Sequence, residues 1–351
     1  MNLPRRSGLL VAFAGLALAA LAAPKGTRGA YLGAIVIDGD SGHVLFEDNA
    51  DVVTPPASMT KMMTFAVLHD RIARGALTLQ TPVTVTAADA KIGGTQVWLK
   101  EGEAFSVEEL IYAMMIQSGN DTAHALARAA AGTPAAFVDL MNAKARELGM
   151  AHTTFRTPHG LPPANRRTAD GDLTTPRDYA LLSRYLLQKT DVTRYTALRE
   201  RKFGEGRRTA DRVIAMVNHN HLIGKVAGVD GLKTGFTNGA GYCLSATAER
   251  NGRRVIVVVM GSPDSKSRDF KVMELLETGF AALPAAPPPV VKTGAPLAPP
   301  TRPAATPAKD PGIVTVKTDK TAPPPAGPKV EQSSTKSDPV VFHIPSLEKK
   351  P

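Results

Sequence analysis

Cysteine is almost absent. Cys243 is the single one in 351 residues, so neither a disulfide framework nor a cysteine-rich metal site is available. Aromatic residues are few as well, 5% of the chain with one tryptophan, Trp98, and no stretch interleaves them with a basic stripe. The formal charge of +10 therefore does not mark a nucleic-acid binder; it divides into +2 before residue 24, +4 after residue 281 and +4 over everything between. Long apolar runs are lacking too. The one candidate, Leu9 to Leu21, follows Arg5 and Arg6, runs into Ala20-Leu21-Ala22 and is short of the roughly 20 residues that span a bilayer. Residues 1–23 read as a secretory signal peptide, which places the mature chain in the periplasm or cell envelope and confines membrane contact to the leader if it stays uncleaved. Proline is thin until the end, where 17 of 28 lie between Pro284 and Pro351. Residues 282–351 carry too little apolar surface to offset the entropy of ordering, and read as a disordered tail. One folded unit, residues 30–281, remains.

Within it, Tyr31 to Asp38 and Val44 to Phe46 flank the turn Gly39-Asp40-Ser41-Gly42 and predict a hairpin. Met59 to Ile72 is apolar nearly all round, the mark of a helix buried in mid-domain, and it ends near Gly75. Ser106-Val-Glu-Glu109 has the form of a capping box opening a helix through Met115. The loop Ser118-Gly119-Asn120 follows, with Asp121 as the natural cap of a second helix to Gly132. Thr133-Pro134 and Thr175-Pro176 each set a capping hydroxyl before an N1 proline, for helices to about Leu148 and Leu187. Three strand-like runs come next, Val229 to Phe236, Tyr242 to Glu249 and Arg253 to Met260, and Ser265 to Phe280 closes as a helix. Strands at both ends around a helical middle predict an α+β fold: one antiparallel sheet made from both ends of the unit, with a helical lobe inserted.

Three short motifs carry chemistry. Ser-x-x-Lys occurs at Ser58–Lys61, Ser-x-Asn at Ser118–Asn120 and Lys-Thr-Gly at Lys233–Gly235; further copies of the first and third fall among the prolines of the tail, with no scaffold around them. A serine hydroxyl is a poor nucleophile at neutral pH and needs a base within hydrogen-bond reach. On a helix, positions i and i+3 share a face, so Lys61 can take the Ser58 proton if it is neutral. Burial and a second cation such as Lys233 would both lower its pKa. The backbone N–H groups of Ser58 and of Phe236 on the facing strand are candidates for an oxyanion hole.

With these motifs stand longer strings: Pro56-Ala-Ser-Met-Thr-Lys-Met-Met63, Ser118-Gly-Asn-Asp121, Thr157-Pro-His-Gly-Leu161, Asp230-Gly-Leu-Lys-Thr-Gly-Phe-Thr237 and Ala240-Gly-Tyr-Cys243. In them the chain, from about Ala30 to Phe280, resembles the serine D-alanyl-D-alanine carboxypeptidases among the penicillin-binding proteins, a family that shares its motifs with class A β-lactamases. The resemblance implies a β-lactamase/transpeptidase-like fold, no cofactor and no metal. It also implies peptidoglycan stem peptides as substrate and β-lactams as covalent inhibitors. Ser58 would be acylated by the penultimate D-Ala carbonyl, Lys61 would be the base, and Ser118 would relay a proton to the leaving amine. Asn120 would donate to the substrate backbone, and Lys233, Thr234 and Arg268 would hold the terminal carboxylate.

Two departures keep other readings open. Many relatives add a β-rich domain and an amphipathic helix where this chain has its Pro-rich tail; members lacking that domain include endopeptidases that cut D-Ala cross-links. A class A β-lactamase would need a deacylating glutamate before Thr174-Thr175-Pro176, and residues 160–175 hold Asn165, Asp170 and Asp172 but no Glu. A non-catalytic wall-binding protein is the reading from another class. Single residues have plainer readings too: Ser58 as a simple cap, Arg268 as a solvated helix charge, and His219 and His221 as loop or structural histidines. Cys243 reads as a small buried strand residue, and Trp98 with Met59, Met62, Met63, Met114 and Met115 as core.

Overall fold

The computed structural model describes residues 30–284. The expected leader, and the expected tail beyond residue 284, lie outside the described residues. β1 (Gly33–Asp38) and β2 (Val44–Asp48) form the predicted hairpin. A 3-10 turn, Ala57–Met59, leads into α1 (Thr60–Ala73), where every residue from Thr60 to Leu68 is buried, as its apolar circumference requires. The short strands β3 (Pro82–Thr84) and β4 (Ala104–Ser106) pair across α2 (Ala87–Ala90), and α3 (Val107–Tyr112) passes into a π turn, Ala113–Gln117. α4 (Asn120–Ala131), α5 (Pro134–Glu147) and α6 (Pro176–Lys189) complete the helical lobe. Thr133 and Thr175 cap the last two as expected, accepting from the N–H groups of Ala136 and Asp178 at 3.1 Å. Then come α7 (Thr193–Thr196) and a small ribbon of β5 (Glu200–Phe203) and β6 (Ile214–Val217). Last are β7 (Val229–Thr237), β8 (Gly241–Arg250), β9 (Arg253–Ser262) and α8 (Ser265–Ala282).

The predicted sheet is present, antiparallel throughout, in the order β2-β1-β9-β8-β7. The pairing of β1 with β9 ties the two ends of the unit together. Because side chains alternate across a strand, Ile35, Ile256, Val258 and Met260 enter a core shared with the helical lobe, while Ala34, Val36, Val257 and Val259 meet Val272, Leu275 and Leu276 of α8. Burial on both faces is why β9 reads as the unbroken apolar run Val255 to Met260. β7 ends the row, and it carries Lys233-Thr234-Gly235.

Three local expectations are corrected. Asp121 is not a cap: α4 starts at Asn120, and the Asp121 carboxylate accepts from the N–H groups of Val97 and Leu99 across the lobe as well as from Thr122 N. Ser106 does cap α3, through Glu109 N at 3.2 Å, but the box is not closed, because Glu109 turns to Arg201 and Gly204 N. Trp98 is not core; it is 63% exposed, while the five methionines are buried. Its backbone, at φ 57°, is fixed between the two Asp121 bonds to its neighbours and a bond from Arg208 Nη2 to its carbonyl, and this turns the indole out.

Candidate active site

Ser58 sits on the 3-10 turn ahead of α1, and the turn is pressed between two glycines. Ala57 is in the left-handed region at φ 49°, and Met59 N closes on Pro56 O at 3.1 Å. A Cβ on Gly235 would come 2.5 Å from Pro56 O, and one on Gly160 would collide with the Ala57 carbonyl. Only glycine lets β7 and the 157–161 loop approach this closely. The glycine of Lys-Thr-Gly is therefore a spacing device that brings β7 against the turn that bears Ser58.

Lys61 is fully buried one turn further on, and its Nζ lies 3.1 Å from Ser58 Oγ, 2.6 Å from Asn120 Oδ1 and 2.8 Å from His159 O. An amide oxygen and a peptide carbonyl accept hydrogen bonds and have no proton to give. They take two N–H bonds of a neutral amine and leave its lone pair for the Ser58 hydroxyl proton. Burial, then the charge of Lys233, holds the Lys61 pKa well below the usual lysine value, against the opposing pull of Asp121 and Asp172. Both carboxylates are buried and committed: Asp172 accepts from Thr60 Oγ1 and from Thr157 N and Oγ1, and Asp121 from the N–H groups named above.

Ser118 ends the π turn at φ 66°, a left-handed position that a serine occupies at a cost of about 1 kcal/mol or more. Its Oγ is buried without a hydrogen-bond partner among the described residues, so it bonds to neither Ser58 nor Lys233. Asn120 is committed at both ends, Oδ1 to Lys61 and Nδ2 to Gly93 O at 2.9 Å. Lys233 is buried with Nζ 3.2 Å from Thr234 O, and burial, helped by Arg268, pushes its pKa down to about 7. Arg268, expected either as a ligand for the carboxylate or as a solvated charge, is 3% exposed, with Nε and Nη2 on Asp269 Oδ1 at 2.8 and 2.6 Å. It is not a solvated charge. Cys243 is buried as expected, its thiol pushed up to about 11 by burial.

A cleft of about 350 Å³ gathers Ser58, Ser118, Thr234 and Arg268 on one wall system, with Phe236 stacked on Tyr242 at its edge, ring centroids 4.2 Å apart. Sequence reasoning missed three contributors. His219 and His221 line this cleft, and burial with Lys233 pushes His219 down to about 4; the only sign in the sequence was their place 14 and 12 residues before Lys233. His159 supplies a backbone carbonyl, which no side-chain motif announces. Among the described residues no cluster of three metal-ligating side chains occurs.

The arrangement can be set against known proteins. The profile of the D-alanyl-D-alanine carboxypeptidase peptidases matches residues 26–264. The chain belongs to this family. The D-alanyl-D-alanine carboxypeptidase DacF of Bacillus subtilis is 36% identical over 248 residues, 71% of this chain and 61% of the relative. A D-alanyl-D-alanine endopeptidase of Pseudomonas aeruginosa is 34% identical over 262 residues, 72% of this chain and 79% of that protein. The chain thus spans about three fifths of the length of DacF and more of the endopeptidase. Among solved structures, the carboxypeptidase DacD of Francisella tularensis superposes with a TM-score of 0.67 at 30% identity, covering 72% of this chain and 70% of that one. The ampicillin-bound penicillin-binding protein D2 of Listeria monocytogenes gives 0.62 at 31% identity, covering 72% and 97%. The α+β fold expected from the sequence is the fold of this carboxypeptidase family.

Proposed function

We propose that the chain is a serine D-Ala-D-Ala carboxypeptidase that trims peptidoglycan stem peptides in the cell envelope through an acyl-enzyme on Ser58, and that β-lactams inhibit it by acylating the same oxygen. The observation that carries this is the Lys61 amine, buried, depressed in pKa and held by two proton-less acceptors 3.1 Å from Ser58 Oγ. Lys61 takes the hydroxyl proton as Oγ attacks the penultimate carbonyl carbon, and the N–H groups of Ser58 and Phe236 receive the negative charge that forms on the carbonyl oxygen. Ser118, whose hydroxyl is uncommitted, passes the proton from Lys61 to the nitrogen of the departing D-Ala. Water then attacks the ester, with Lys61 as base again. The cations of Lys233 and Arg268, with the Thr234 hydroxyl, hold the substrate's terminal carboxylate, and Asn120 orients Lys61 through Oδ1 and has the second N–H of Nδ2 left to donate to the substrate backbone. No helix among the described residues is long and apolar enough to cross a membrane.

Mass spectrometry of pentapeptide muropeptides incubated with wild type and Ser58→Ala tests the proposal. Loss of one alanine mass with wild type alone supports it. A folded wild type that neither trims pentapeptide nor takes up a fluorescent penicillin overturns it. A second reading, cleavage of D-Ala cross-links, is favoured by the 79% of the endopeptidase relative that this chain covers; cross-linked dimers in the same assay separate the two.

A further inference from the structure

Next to the turn that bears Ser58, and sharing no lining residue with the cleft that holds Ser58 and Arg268, lies a second hollow of about 330 Å³. Ala57 of the nucleophile turn, the loop from Gly160 to Gly171, the last residue of β7, Thr237, and Asn238 of the turn that follows form its walls. Its place relative to a bound peptide follows from β7. That strand ends the sheet, and an extended peptide can add along its open edge. In the carboxypeptidase reading the peptide's carboxyl terminus is at Thr234 and its scissile carbonyl is over Ser58, on the turn that packs against Gly235. At about 3.4 Å per residue, the next residue toward the amino terminus is then level with Phe236 and Thr237, and Thr237 lines the second hollow.

The chemistry of that hollow is set by Arg166. It is exposed at the lining, and no carboxylate pairs with it among the described residues, whereas Arg167 beside it lies 3.6 Å from Asp170. A bond from Arg166 N to Pro163 O at 2.9 Å fixes its backbone, which stands at φ 56°. The other charged residue of the lining, Asp172, offers nothing to a ligand, because its oxygens already accept from Thr60, Thr157 and Arg156 N. The hollow therefore presents one uncommitted guanidinium, a geometry suited to a carboxylate.

We propose that this hollow takes the side chain of the residue preceding the D-Ala pair, and that Arg166 selects side chains that end in a free carboxylate. The favoured substrates are stem peptides whose diamino acid carries a carboxylate at its far end, over those ending in an amide or a bare ammonium. The proposal rests on the carboxypeptidase reading. The test uses three acetylated tripeptides ending in D-Ala-D-Ala, with diaminopimelic acid, its side-chain amide or lysine in first place. D-Ala release gives kcat/KM for wild type, Arg166→Gln and Arg166→Lys, with fluorescent-penicillin labelling of Ser58 as the control for an intact centre. The free acid is expected to be preferred by about tenfold or more, the size of one charge-assisted bond. Arg166→Gln should level the three substrates, Arg166→Lys should keep part of the preference, and all three proteins should label alike. Equal rates on the three peptides with wild type, or a preference that survives in Arg166→Gln, overturns the role of Arg166 and leaves the carboxypeptidase reading standing. A wild type that labels but releases D-Ala from none of them refutes both.

Discussion

Lys61 Nζ lies 2.6 Å from Asn120 Oδ1, closer than its 3.1 Å approach to Ser58 Oγ. The asparagine thus acts on the base before it acts on any substrate: it fixes one N–H bond and so the direction of the remaining lone pair. The carboxamide is itself held in one orientation by Gly93 O, with Gly94 so close that a Cβ there would sit 2.6 Å from Nδ2.

Replacing Asn120 by Asp keeps the shape and adds a negative charge at that distance. An opposite charge this near stabilises the ammonium form, so the Lys61 pKa rises and the fraction of free amine at neutral pH falls. Asn120→Asp is expected to lower the rate of penicillin acylation at pH 7 by about a hundredfold or more, with part of the loss recovered at higher pH, because each pH unit restores up to about tenfold of neutral amine. Stopped-flow or gel-based acylation rates from pH 6 to 10 check this. A flat profile equal to that of wild type would show that Asn120 does not tune the base.

Gly235→Ala should separate folding from chemistry. The new methyl meets the Pro56 carbonyl oxygen and the Ala57 Cβ, and backbone cannot swing aside as a long side chain can. The turn bearing Ser58 must shift, and a displacement of about 1 Å at a reacting centre costs on the order of a hundredfold in rate. The expected outcome is a folded protein, by circular dichroism, that acylates at least about tenfold more slowly.

How much of this was legible in the sequence depended on how far each residue's partners lie along the chain. Ser58 and Lys61 are three positions apart, and Thr133 and Thr175 act on their own helices, so pattern alone placed them. The β7–β8–β9 meander is local too, and its three strand-like runs with the turns between them announced it. Trp98 and Asp121 were misread because each is governed from elsewhere: Asp121 by Val97 and Leu99, Trp98 by Arg208, 110 positions away. His159 reaches Lys61 across 98 positions through a carbonyl, an atom every residue has. The Asp172 carboxylate accepts from Thr60, 112 positions away, and from Thr157, 15 away, pairings that no local pattern marks.

Lys233 makes stability depend on pH, with a sign that can be worked out. Burial and Arg268 lower its pKa from 10.5 to about 7 in the folded protein. Between those values the unfolded chain binds a proton that the native state does not, so stability rises with pH across that window. Below pH 7 both states hold the proton, and the folded state bears the full cost of a buried ammonium that no carboxylate pairs with among the described residues. Lys233→Met removes that cost. It should melt several degrees above wild type at pH 6, with the gap closing toward pH 10, while kcat/KM for pentapeptide falls because the carboxylate loses a cation. A gap independent of pH would mean that Lys233 is not the titrating group. Binding of a small carboxylate should stabilise wild type more than Lys233→Met at pH 6.

Ser118 stores strain of a different kind, and its removal should stabilise the fold while disabling the site. At φ 66° it occupies a conformation that glycine adopts freely, and its buried hydroxyl has no partner among the described residues. Relief of the left-handed backbone is worth about 1 kcal/mol, and an unsatisfied buried hydroxyl costs about 1–3 kcal/mol. Against this stands up to about 1 kcal/mol of extra chain entropy that glycine loses on folding. Ser118→Gly is therefore expected to raise Tm by a few degrees, since 1 kcal/mol corresponds to about 2–4 °C for a domain of this size. With no hydroxyl to carry the proton to the leaving nitrogen, release of D-Ala should fall by about a hundredfold or more. Ser118→Ala loses the hydroxyl but keeps the backbone strain, so it should match the glycine variant in rate and melt below it. Equal activity of Ser118→Gly and wild type would remove Ser118 from the proton path. A lower Tm for Ser118→Gly would show that Ser118 Oγ contributes a stabilising contact in solution.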